Sequence, residues 1–212
     1  MQMMAASVDT LRCEPVEKPE PAWAIATLFP PQGGWNESAH LSFTESLGQM
    51  VELVDGSIEV PAMLTKTHQQ VVHALLALLL EFLRANRAGD AVAAPYRMRL
   101  REATFREPDI VAYTADHLNR FGERFGEPAD VVMEVVSDDA ASRVRDYDDK
   151  RRDYAAAGVP EYWIVDPAVG QVIVLTLAAD GYAVVGEHGL DGEASSLVLP
   201  GFTVGVGALL RR

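Results

Sequence analysis

Glu134 lies inside Val131-Val132-Met133-Glu134-Val135-Val136, an apolar run that predicts a buried strand. Side chains alternate along a strand, so Glu134 shares a face with Val132 and Val136. A carboxylate there is costly unless it is paired or bound to a metal. Asp109 follows Pro108 at the mouth of a second apolar run, Ile110-Val111-Ala112. On neighbouring strands the two carboxyls form a hard-oxygen site suited to Mg²⁺ or Mn²⁺. Lys150 falls on a predicted helix with Asp146 and Tyr154, spaced i, i+4 and i+8 along one face. Acids that hold a metal, with a lysine beside them, suit phosphodiester hydrolysis. The metal polarises the phosphate and acidifies a bound water, while the lysine stabilises charge or orients the nucleophile.

Plainer readings stand beside each residue. Asp109 after a proline can cap a turn or strand end. Lys150 can be a solvated helix lysine with Asp146 as its ion-pair partner. His68, at a helix start, reads first as a capping or packing residue. Tyr162 and Trp163 read as core aromatics rather than a base-stacking platform. Glu134 resists such a reading, because an acid between valines in mid-strand needs a partner. Serine or cysteine catalysis finds little support, since Cys13 is the sole cysteine and no Gly-x-Ser-x-Gly elbow occurs.

The elements that position these residues follow from periodicity and punctuation. Residues 1–40 carry five prolines among scattered acids, and read as a poorly ordered or wrapping arm before a domain over 41–212. A short helix is expected from near Leu41 toward Met50, capped by Ser42 or Thr44. Val51–Val60 predicts a hairpin turning at Asp55-Gly56. Thr67–Asn86 is the clearest helix, with Thr67 as a candidate cap and Gly89 just beyond its end. Strands are expected over Ala91–Leu100, Asp109–Tyr113, Val131–Val136, Glu161–Val165, Gln171–Leu177, Tyr182–Glu187 and Ser196–Leu199. A helix over Ser142–Ala157 is closed by Gly158. This order gives an α/β (α+β) fold with a mixed sheet.

Several stretches together resemble a known family. They are Val51-Glu52-Leu53-Val54-Asp55-Gly56, the helix with His68-Gln69, Glu107-Pro108-Asp109-Ile110-Val111, Glu134-Val135-Val136-Ser137, and the block from Asp146 through Lys150 and Tyr154 to Ala157-Gly158-Val159-Pro160-Glu161-Tyr162-Trp163-Ile164-Val165-Asp166-Pro167. The ending Leu199-Pro200-Gly201-Phe202 is similar too. From about Phe43 onward the chain resembles the Uma-type family of restriction endonucleases, within the PD-(D/E)XK nuclease superfamily. The resemblance implies a restriction-endonuclease-like mixed central sheet flanked by helices, with extra antiparallel strands. It implies Asp109 and Glu134 as metal-binding acids, Lys150 as the catalytic lysine and Glu52 as an additional acid. Asp146, Tyr154 and His68 would support them. In the parent pattern the lysine lies two residues after the acid; here that position is Val136, and Lys150 comes from the following helix. A DNA substrate, Mg²⁺ or Mn²⁺ and a homodimer are what the resemblance suggests.

Composition bounds the alternatives. A net charge of −13 weighs against a general DNA-coating protein. The charge is uneven: Met1–Val60 holds nine acids against two bases, whereas Arg84–Arg106 holds six arginines against Asp90 and Glu102. Those arginines read as a solvated surface that a nuclease can use to grip phosphates. The longest apolar run, Ala74–Leu80, is far short of the roughly 20 residues that span a bilayer, and Met1–Ala6 carries no secretory pattern. A cytoplasmic location is expected. Two other functions stay open: a silent nuclease fold binding nucleic acid or protein, and a hydrolase of small phosphoesters.

Overall fold

The computed structural model describes residues 29–47 and 50–211, so Met1–Leu28 of the expected arm lie outside the described residues. Helix α1 (Glu37–Leu47) starts earlier than the sequence suggests. Asn36 opens it, its Oδ1 accepting the Ala39 N–H at 2.8 Å, whereas Thr44 bonds back to the His40 carbonyl inside the helix. Strands β1 (Glu52–Val54) and β2 (Ser57–Glu59) form the expected hairpin. Its turn residues Asp55 and Gly56 have φ of 47° and 75°, the left-handed pair that Asp-Gly tolerates best.

Helix α2 (Lys66–Asn86) begins at Thr65 rather than Thr67: the Thr65 hydroxyl accepts the His68 N–H at 3.2 Å. It ends on Arg87 in the left-handed region, with Ala88 N–H donating to Leu83 O. Leu75, Leu79 and Leu83 recur along its inner face and are fully buried. Each contributes about 1.5–3 kcal/mol by leaving water. Gly89 then starts β3 (Gly89–Ala93), where a Cβ would lie 1.9 Å from the Tyr113 carbonyl oxygen. Only glycine allows that approach of helix end to sheet.

The expected single strand over Ala91–Leu100 is two strands. Pro95 removes a backbone donor and separates β3 from β4 (Met98–Arg101). β4 pairs with β5 (Thr104–Arg106), giving a four-stranded sheet in the order β2-β1-β5-β4. The main sheet takes β6 (Ile110–Thr114), β7 (Val131–Val135), β8 (Glu161–Asp166), β9 (Gln171–Ala178) and β10 (Gly181–Gly189), in the order β10-β9-β8-β7-β6-β3. β7 and β8 are parallel and every other pair is antiparallel, so the sheet is mixed, as the fold class requires. Between β7 and β8 run α3 (Ala140–Val144), a π-helical turn over Arg145–Asp149 and α4 (Lys150–Ala156). Asp139 caps this segment, accepting the Ser142 N–H at 2.8 Å.

The expected strand over Ser196–Leu199 is absent. The Leu197 and Val198 N–H groups donate to the buried Glu161 carboxyl instead of to a neighbouring strand. The strands there are β11 (Glu193–Ser195) and β12 (Thr203–Gly205), followed by α5 (Val206–Leu210).

The main sheet buries both faces. One core holds the inner face of α2 with Ile110, Met133, Trp163 and Val165. The other holds Val111, Val132, Val136, Tyr162 and Ile164 with Tyr154 of α4. Alternation therefore points Glu134 toward α4 and not toward α2. Among the described residues, no helix is long and apolar enough to cross a membrane.

Candidate active site

Antiparallel pairing of β6 and β7 sets Ile110 opposite Met133. Asp109, one residue before β6, therefore reaches the end of β7, and its Oδ2 accepts the Val135 N–H at 2.7 Å. On the other side, His68 Nε2 donates to the same oxygen at 3.1 Å. Burial works against the His68 cation, but the Asp109 bond and the Asp109 and Glu134 carboxyls raise it above the usual histidine range.

Glu134, at the end of the same strand, is 2% exposed. The Tyr154 hydroxyl donates to its Oε1 at 2.5 Å, and Lys150 Nζ lies 2.8 Å from Oε2. Burial pushes the Glu134 carboxyl up to about 8; Lys150 opposes this, while Asp109 and Asp146 add to it. The same carboxyls keep Lys150 protonated against its burial. The ammonium also lies 3.6 Å from Asp146 Oδ1 and 3.8 Å from Glu52 Oε1. Asp146 and Tyr154 flank Lys150 on the expected face, and all three are buried. The π-helical turn carries Asp146, whose carbonyl accepts the Tyr162 hydroxyl at 2.7 Å.

Glu52 is saturated. Its Oε2 lies 2.7 Å from an Arg106 guanidinium nitrogen, and its Oε1 accepts the Glu107 N–H at 3.0 Å. Burial pushes this carboxyl up, yet Lys150 and Arg106 together hold it at about 2. The fold thus brings together every candidate read from the sequence: Glu52, His68, Asp109, Glu134, Asp146, Lys150 and Tyr154.

Three more charged groups stand around the site: Arg145, which lines it with Nε 3.3 Å from Asp146 Oδ1, and then Arg106 and Glu107. Arg106 is 2% exposed and Glu107 is buried beside it. Glu107 Oε1 pairs with Arg97 at 3.3 Å, while its Oε2 has no hydrogen-bond partner. Burial pushes Glu107 up to about 7. Position in the sequence gave no sign of either role, because Arg106 reads as one more arginine in a basic stretch. Four of the six arginines in that stretch are engaged within the fold, while Arg84 and Arg87 are exposed. Arg97 pairs with Glu107, Arg99 with Glu37, Arg101 with Asp55 and Asp153, and Arg106 is buried. Tyr162 and Trp163 are core aromatics, with Trp163 Nε1 donating to Glu161 at 2.7 Å.

A cavity of about 20 Å³, room for one water-sized sphere, opens among Glu52, His68, Glu107, Asp109, Glu134 and Lys150. Among the described residues no three acids, histidines or cysteines converge in a ready-made metal cage. Asp109 and Glu134 are the hard-oxygen pair able to hold a cation here. Mg²⁺ commonly takes one or two carboxylates and keeps waters or phosphate oxygens for the rest. Glu134 is pushed up by burial and by the carboxyls facing it, so a divalent cation would relieve a cost the site otherwise carries. The donor set therefore fits such an ion.

A profile of the Uma2 family, described as "Putative restriction endonuclease", matches residues 35–207. Among solved structures, the chain is similar to a protein described as a "putative nuclease belonging to DUF820" from Anabaena variabilis ATCC 29413. That match has a TM-score of 0.64 and 17% identity, and covers 81% of this chain and 97% of the other. At that identity the likeness speaks for the fold alone. No curated protein is significantly similar to the chain.

Proposed function

The chain belongs to the Uma2 family, described as restriction endonucleases, and on that premise we propose that it hydrolyses DNA phosphodiester bonds with a bound divalent cation, Mg²⁺ or Mn²⁺. The observation that carries this reading is Lys150 Nζ at 2.8 Å from Glu134 Oε2, beside Asp109, in a buried polar pocket.

Asp109 and Glu134 are the residues that would hold the cation. When bound, it polarises the scissile phosphate and acidifies a water. The chain's own groups supply the rest. Tyr154 fixes one Glu134 oxygen, and His68 with the Val135 N–H fixes one Asp109 oxygen, so both carboxyls enter the reaction already oriented. Lys150 presents a fixed positive charge to the phosphate and the attacking water. Asp146 holds that ammonium from a second side, while Glu52, 3.8 Å away, is committed to Arg106 and the Glu107 N–H. In this reading the substrate is duplex DNA, cut by a homodimer that offers one such site to each strand.

The test is incubation of supercoiled plasmid with Mg²⁺, Mn²⁺ or EDTA, with a small phosphodiester run in parallel. Metal-dependent nicking supports the proposal. Turnover of the small ester alone points instead to a small-phosphoester hydrolase. A second reading, a silent nuclease fold that binds without cutting, is favoured by one observation. Lys150 and Glu134 already satisfy each other as a buried, directly bonded pair, as a purely structural couple would. Retention of DNA with no cleavage under any metal would select it.

A further inference from the structure

Arg106 stands at the end of β5, and its guanidinium meets carboxyls from three elements. Nη1 lies 2.7 Å from Glu52 on β1 and 2.8 Å from Glu59 on β2; Nη2 lies 2.7 Å from Asp153 on α4. Arg106 and Glu52 are almost wholly shielded from water, at 2% and 1% side-chain exposure. Asp153 is shared with Arg101, whose Nη1 is 3.2 Å away. The four-stranded sheet is thereby fastened to the helix that carries Lys150.

The consequence for Lys150 lies in how the carboxyls are shared out. Three of them surround its ammonium, at 2.8 Å (Glu134), 3.6 Å (Asp146) and 3.8 Å (Glu52). Glu52 keeps the longest of these distances although it is the most buried of the three. Its Oε2 is taken by Arg106, and its Oε1, the oxygen nearest Lys150, accepts the Glu107 N–H. Without Arg106, Glu52 would be a buried carboxylate short of a cation; Lys150, already 3.8 Å from its Oε1, is nearer to hand than Arg145 across the same cavity.

We propose that Arg106 is a positioning residue for Lys150: by occupying Glu52 it removes a rival carboxylate and leaves the ammonium on Glu134, facing the pocket. Arg106 touches neither the cavity nor any reacting atom; it acts through Glu52. The kinetic consequence rests on the nuclease reading above, whereas the placement of the ammonium does not.

The experiment separates the two. The chain has three lysines, Lys18, Lys66 and Lys150, so the side-chain ¹⁵N–H₃⁺ signal of Lys150 in metal-free protein is assigned by its loss in Lys150→Ala. Arg106→Met is compared with wild type and with the double variant Arg106→Met/Glu52→Gln. The expected result is a displaced Lys150 signal in Arg106→Met that returns toward the wild-type position in the double variant, where the rival has lost its charge. Single-turnover plasmid cleavage should fall about 10²-fold in Arg106→Met, the usual scale for losing one positioned group, and recover at least about tenfold in the double variant. A merely structural arginine would leave the Lys150 signal in place in the folded variants, even where Glu52→Gln restores stability by removing an uncompensated buried charge.

An unmoved Lys150 signal in folded Arg106→Met, or a double variant no closer to wild type than the single one, overturns the proposal. Should Arg106→Met fail to fold by circular dichroism, Arg106→Lys replaces it. One ammonium cannot serve three carboxylates as the guanidinium fork does, so the same displacement and the same rescue by Glu52→Gln are expected. A signal that moves and is rescued, in a protein that cuts nothing, sinks the nuclease reading and leaves the positioning role standing.

Discussion

Replacing Glu134 by glutamine should stabilise the metal-free protein while destroying its proposed activity. Burial, reinforced by Asp109 and Asp146, pushes the Glu134 carboxyl up to about 8 in the folded chain. An unfolded glutamate titrates near 4.3. Because the folded value is the higher one, the favourable contribution of the neutral acid is complete below about 4.3 and is lost as pH rises toward about 8. At pH 7 the folding chain must take up a proton across about 2.7 units, which at 1.36 kcal/mol per unit sets a ceiling of about 4 kcal/mol. Sharing of the proton with Asp146 and Lys150 lowers the expected gain to about 1–3 kcal/mol. Glutamine copies the neutral acid: its carbonyl accepts from Lys150, and the Tyr154 hydroxyl, which donates to Oε1 in the wild type, rotates to accept from the NH₂. Urea unfolding in EDTA should show Glu134→Gln level with wild type near pH 4 and more stable by that amount near pH 8. For a chain of this size the gain corresponds to a rise in Tm of about 2–4 °C per kcal/mol. A variant less stable than wild type at the higher pH, or a gap that ignores pH, would refute the reasoning.

Other expectations follow from the same geometry. In the proposed site a cation would be held by an ionised Glu134, so Mn²⁺ affinity by titration calorimetry should climb as pH rises to about 8 and level off above it, with proton release at the lower end. Tyr154→Phe leaves a buried Glu134 oxygen without its donor; urea unfolding should show a loss of about 1–3 kcal/mol, and cleavage should slow. Leu79→Ala, on the fully buried face of α2, should cost about 2–5 kcal/mol in the same assay while sparing the cleavage chemistry.

The sequence carried this site unevenly. Glu134 could be singled out because an acid among valines breaks the strand pattern locally, and the strand period also gave its face. Asp55-Gly56 announced the hairpin through turn chemistry alone, and the apolar stripe of α2 announced the longest helix. Asp109 and Lys150 needed the family resemblance, since a post-proline aspartate and a helix lysine are ordinary residues until the fold brings them together. Arg106 and Glu107 escaped because burial of a charge depends on partners far along the chain. Arg106 meets Glu52, 54 residues earlier, and Asp153, 47 residues later. The run Ala91–Leu100 misled because its apolar content continues through Pro95, while the backbone pairing does not. Ser196–Leu199 misled because its N–H groups bond to a buried glutamate from another strand, which period-two patterning cannot reveal.

In the proposed reaction Lys150, held against Glu134 and Asp146, serves phosphodiester cleavage. The most direct test of that role is single-turnover nicking of supercoiled plasmid by wild type and Lys150→Ala side by side, each with Mg²⁺, Mn²⁺ or EDTA and each checked for fold. Metal-dependent nicking by wild type, none in EDTA, and loss of at least about 10²-fold in the folded variant are expected. Cleavage undiminished by removal of Lys150 would contradict that role.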